Sequence, residues 1–78
     1  MQSTAPYGPH IQTLTDRQQE VVMLVARGAS NRGIAQMLSI SEKTVEKHLK
    51  YARQRLGAQS RTQLVALFFG GAIERTII

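Results

Sequence analysis

The sequence predicts an all-α domain of four helices, and three observations carry that prediction. From Leu14 onward apolar residues recur three and four positions apart, the spacing of one face of an α-helix. Thr15, Ser30, Ser41 and Ser60 stand just ahead of these apolar runs as N-caps, while Gly28, Gly57 and the Gly70-Gly71 pair stand behind them as stops. No run alternates apolar and polar residues between turn signals, so no strand is expected.

The first helix opens at Thr15, with Gln18 three residues on as the partner of a capping box. Val21, Val22, Leu24 and Val25 follow, and Gly28 offers the stop. The second opens at Ser30, carries Ile34, Ala35, Met37 and Leu38, and ends near Leu38 or Ser39. Ser41 opens the third, and Ile40 before it can pack on Val45 as a hydrophobic staple. Val45, Leu49, Ala52 and Leu56 then form one stripe at i, i+4, i+7 and i+11, and Gly57 ends the helix. The fourth opens at Ser60, with Gln63 completing a second capping box, and runs through Leu64, Val65, Leu67, Phe68 and Phe69 to the Gly70-Gly71 pair. Residues 72–78 extend this helix or fray. Residues 1–12 hold both prolines, Pro6 and Pro9, with Gly8 and small polar residues, and read as a flexible linker or tail. Residues 13–78 are then the folded domain.

At 78 residues the chain makes one domain with an economical core, since a chain this short buries only about 60% of the surface it exposes unfolded. It has no cysteine, so no disulfide or cysteine-based zinc site staples it. No apolar run approaches the roughly 18 residues of a membrane span, and the N-terminus lacks the basic and apolar regions of a signal peptide. A reducing cytoplasmic setting, with no membrane partner, is the expectation. The net charge is +5, and all of it lies between residues 30 and 61. There Arg32, Lys43, Lys47, Lys50, Arg53, Arg55 and Arg61 face only Glu42 and Glu46. Elsewhere Arg17, Arg27 and Arg75 balance Asp16, Glu20 and Glu74. Clustered positive charge is the footprint of a polyanion site, although a solvated surface carries charge as well.

Only Ser39-Ile40 separates the second helix from the third, the spacing of a helix-turn-helix corner whose second helix can enter a major groove. With the apolar stripe of the third helix turned inward, Lys43, Glu46, Lys47, Lys50, Arg53 and Gln54 face outward. That face is basic but chemically mixed. Lysine and arginine pair with phosphates or guanine, glutamate accepts from cytosine, and glutamine can pair with adenine. The plain alternative is a solvated face with Glu46 and Lys50 as an i, i+4 ion pair.

These residues resemble the LuxR/GerE-type helix-turn-helix domain, which also ends NarL/FixJ-type response regulators. The likeness runs without a gap from about residue 14 to 70. It rests on Leu14-Thr15-x-Arg17-x-x-Glu20-Val21 with Leu24, Ala26 and Gly28, then Ser30-Asn31-x-x-Ile34-Ala35-x-x-Leu38. Ile40-Ser41-x-x-Thr44-Val45-x-x-His48-Leu49, Leu56-Gly57 and Arg61 complete it. The resemblance implies a tetrahelical helix-turn-helix domain that binds double-stranded DNA as a bacterial transcriptional regulator, free-standing or as an output domain. It implies that Glu46, Lys47 and Lys50 face the bases, and that Asn31, Lys43, Thr44, Arg53, Gln54 and Arg61 contact phosphates. It implies a homodimer through the fourth helix, at Leu64, Val65, Leu67 and Phe68, on an inverted repeat. Gln18 and Gly33 stand where the family usually has glutamate, and a glycine inside a helix costs roughly 1 kcal/mol. Glu46 stands at a base-facing position where a basic residue is usual, so no target sequence is borrowed from a relative.

His48 reads as a packed or phosphate-facing residue and His10 as an inert tail residue. No histidine–carboxylate cluster offers a metal site, and no cofactor is expected. Tyr51 either stacks on a sugar or caps the edge of the core. There are no paired carboxylates, no nucleophile beside a base and no phosphate-cradling glycine loop, so an enzyme is not expected. The competing reading is a protein-interaction module that docks on the transcription machinery, such as RNA polymerase, with little DNA affinity of its own.

Overall fold

The computed structural model describes residues 14–77, those from 71 onward as helical backbone. Four helices follow in order: α1 (Asp16–Ala26), α2 (Asn31–Leu38), α3 (Glu42–Leu56) and α4 (Arg61–Ile77). No strand occurs among the described residues, as the patterning predicts. The expected tail at residues 1–12 and His10 lie outside them.

Each helix begins on the hydroxyl that the sequence marks. Thr15 Oγ1 accepts from the Gln18 amide, and Gln18 Oε1 accepts from the Thr15 amide, both at 3.0 Å. This capping box is complete, and it satisfies Gln18, which is buried. Ser30, Ser41 and Ser60 accept from the amides of Gly33, Thr44 and Gln63, each at 3.0 Å. The second capping box is only half formed, because Gln63 Oε1 accepts from the Gln59 amide, one residue upstream of the expected Ser60 donor.

Three helices end in the same way. A left-handed residue, Gly28 (φ 94°), Ser39 (φ 58°) or Gly57 (φ 73°), turns the chain out of the helix. The next residue then donates back five positions, Ala29 to Leu24, Ile40 to Ala35 and Ala58 to Arg53. These are Schellman-type closures, and Ala29, Ile40 and Ala58 all pack against the core, the apolar contact that accompanies that motif. At the fourth helix, where the sequence leaves both extension and fraying beyond the glycine pair open, α4 runs through Gly70-Gly71 to Ile77. The described glycines at positive φ are Gly28 and Gly57. Glycine without a left-handed turn weakens a helix but does not end it.

The core gathers Leu14, Val21, Val22, Ile34, Ala35, Val45, Leu49, Ala52, Leu56 and Leu64. The helix α3 supplies four of these and packs against α1, α2 and α4, so it is the central element. No described helix is long and apolar enough to cross a membrane.

Candidate nucleic-acid interface

The rotation of α3 about its axis decides which side chains the surface presents, and the buried stripe sets that rotation. Val45 and Ala52 are fully enclosed, and Leu49 and Leu56 nearly so. Because side chains at i, i+4 and i+7 share a face, the residues between them point outward. Lys43, Glu46, Lys47, Lys50 and Gln54 are exposed, and Thr44 and Arg53 are half-buried. Glu46 and Lys50 close no ion pair among the described residues, where the salt bridge formed is Arg17–Glu20 on α1.

The corner before α3 is tight because Ser39 adopts the left-handed conformation and Ile40 anchors on the core. The expected staple thus has Ile40 and Val45 in one apolar cluster. At the start of α3 the Ser41 and Thr44 hydroxyls lie 2.9 Å apart, so Thr44 is already engaged with the cap. Glu42 in the first turn and Arg53 and Arg55 in the last turn complement the helix dipole.

Beside the outward face of α3 runs an open groove of about 380 Å³. Asn31 from α2, Glu46, Lys50 and Arg53 from α3, and Arg61 from α4 line it, with Leu49 and Leu64. Three cations and one carboxylate from α3 and α4 thus meet in one concave place, with the Asn31 amide of α2 beside them. Arg61 also reaches inward. Its Nη1 donates to Asn31 Oδ1 at 2.6 Å and its Nη2 to the Ala29 carbonyl at 3.0 Å. This tie spans about thirty residues, and no local pattern announces it.

His48 is half-buried on α3. Burial pushes its pKa below the ordinary 6.5, and the positive charges of Arg17 and Lys47 push it the same way. The shift favours its neutral form. Tyr51 is 46% exposed.

On α4 the structure corrects one expected contact. Leu64 is fully enclosed in the chain's own core and has no surface to offer a second copy. Phe68 packs partly against that core and meets Phe69 edge-on, with ring centroids 4.9 Å apart. Val65 is half-buried, and Leu67, 42% exposed, stands furthest into solvent. The helix looks apolar on most sides in sequence because its stripe serves the core and the surface at once.

The family described as bacterial regulatory proteins, luxR family, matches residues 12–68. A Mycobacterium tuberculosis protein named as a candidate HTH-type transcriptional regulator is 45% identical over 53 residues, 68% of this chain and 6% of that protein. A nitrate/nitrite response regulator homologue of Haemophilus influenzae is 41% identical over 59 residues, 76% of this chain and 28% of its own. The oxygen regulatory protein NreC of Staphylococcus aureus is 38% identical over 64 residues, 82% of this chain and 30% of its own. The chain thus spans under a third of the length of each of these relatives.

Proposed function

Because the chain belongs to the luxR family of bacterial regulatory proteins, we propose that it binds double-stranded DNA sequence-specifically to regulate transcription, with α3 in the major groove. One observation carries this reading. The core turns a mixed face of Lys43, Glu46, Lys47, Lys50 and Gln54 outward from a helix set at a tight corner. Glu46, Lys47 and Lys50 read base edges, where glutamate suits cytosine and lysine suits guanine. Asn31, Lys43, Thr44, Arg53 and Gln54 hold the phosphates, and Arg61 lines the groove with Asn31 and Arg53. Phosphate contacts position the domain, and base contacts specify the site.

A homodimer through α4, with Leu67 at its centre and Val65 and Phe68 beside it, is part of the proposal. A two-fold dimer presents two α3 helices in opposite senses, so the target is an inverted repeat. The setting is the bacterial cytoplasm at the nucleoid.

The test is selection from a randomised duplex library at about physiological ionic strength, roughly 0.15 M. Recovery of a shared inverted repeat is the expected result, and its half-site spacing reports how the dimer sits. Winners without a common sequence, released by modest added salt, would leave phosphate attraction alone. The specific reading then fails, and docking on the transcription machinery becomes the function to pursue.

A further inference from the structure

Arg61 lines the basic groove, yet each of its terminal nitrogens donates a hydrogen bond inside the chain, to Asn31 Oδ1 and to the Ala29 carbonyl. A guanidinium has donors only, so it accepts nothing from Asn31 and must be met by the carbonyl end of that side chain. The carboxamide nitrogen, with its two N–H donors, is then the end of Asn31 left for the groove. The two ends of an asparagine amide are almost the same size, so packing alone does not choose between them. The choice matters for a polyanion. Phosphate oxygens accept hydrogen bonds, and an asparagine with its oxygen outward would meet them with a second acceptor.

We infer that Arg61 is a positioning residue of the interface: by clamping Asn31 Oδ1 and the Ala29 carbonyl, it turns the Asn31 amide donors toward the phosphate backbone. Its contribution to affinity runs through Asn31, and its own charge does not neutralise a phosphate. The second bond holds the α1–α2 connection against the start of α4, so Asn31 is fixed in place as well as in orientation. This inference rests on the DNA-binding reading above.

The experiment compares the wild-type domain with Arg61→Gln, Arg61→Lys, Asn31→Ala and the Arg61→Gln/Asn31→Ala double variant on a selected duplex across a salt series. Side-chain ¹⁵N relaxation of Asn31 in the DNA-free protein is measured in parallel. Arg61→Gln is expected to loosen the Asn31 carboxamide and to weaken binding roughly tenfold, about the worth of one charge-assisted hydrogen bond. The slope of log K against log salt stays as in the wild type. The double variant binds no more weakly than the weaker single variant. Arg61→Lys keeps the charge but lacks the planar fork that serves two fixed acceptors, so it stays weakened. It also carries the test if Arg61→Gln does not fold.

A slope shallower by roughly 0.9 in Arg61→Gln would make Arg61 a direct phosphate contact and overturn the inference. So would full rescue by lysine, losses that multiply in the double variant, or an Asn31 amide that remains rigid. A wild-type domain that binds no duplex beyond simple salt-sensitive attraction would instead sink the DNA-binding reading, and this inference with it.

Discussion

Lys50 stands exposed and lines the basic groove, one helical turn beyond Glu46. If it reads a base, Lys50→Ala weakens the selected site by about 1–3 kcal/mol and relaxes preference at one position. Competition binding with single-base variants of the site checks this, and a uniform loss across all sequences would make Lys50 a phosphate contact. His48 supplies a second expectation at the same scale. Its folded pKa lies below the unfolded value near 6.5, so as pH falls through that value the unfolded chain takes up a proton more readily than the folded one. The stability from neutral, packed His48 is therefore present above about pH 6.5 and is lost as pH drops below it. Urea melts between about pH 5 and 7.5 should show a shallower loss toward acid in His48→Gln than in the wild type. Equal slopes would mean that other groups carry the dependence.

At the scale of the helices, the punctuation differs at one point. Gly28 and Gly57 take the left-handed turn without a Cβ, whereas Ser39 takes it with one. A left-handed residue other than glycine costs roughly 1 kcal/mol or more. Ser39→Gly is thus expected to stabilise the domain by about 0.5–1 kcal/mol, less whatever the freer unfolded chain takes back. Gly33 presents the opposite case. It lies inside α2, and a Cβ there would meet the Ser30 hydroxyl at an ordinary 3.4 Å. Gly33→Ala should add about 0.5–1 kcal/mol by lowering the entropy of the unfolded chain. Thermal melts of the two single variants and of their combination check both, and a fall in melting temperature for either would show that the local backbone does not tolerate the change.

Across the whole molecule, α4 divides its apolar residues between two tasks. Leu64 closes the core against α1 and α3, so Leu64→Ala should cost about 2–5 kcal/mol and reduce the folded population itself. Leu67 lies outside the buried core, so Leu67→Glu should leave the monomer near wild-type stability while weakening the dimer and binding to the paired half-sites. Sedimentation velocity with and without an inverted-repeat duplex separates the two variants. A Leu67→Glu domain that still dimerises would place the contact elsewhere on the surface.

Four hydroxyl caps, two glycine stops, the α3 stripe and the concentration of charge between residues 30 and 61 were all legible in the amino-acid order. Capping, periodicity and charge are local properties, fixed by residues within a turn or two of one another. What the order left open or misplaced were matters of competition between distant groups. Gly70-Gly71 offers a stop but leaves extension open, since a stop needs a left-handed turn that the folded chain does not make there. Leu64 reads as a surface contact because only the packing of α1 and α3 reveals that the core already encloses it. The groove and the Arg61–Asn31 tie belong wholly to the tertiary structure. Their partners lie on different helices, and only the packing of those helices on a shared core brings them within hydrogen-bond reach. The sequence by itself thus determined the helices, the face of α3 turned outward and the sign of its charge. The tertiary structure decided which side chains meet around that face, because contact across the chain is set by packing rather than by spacing.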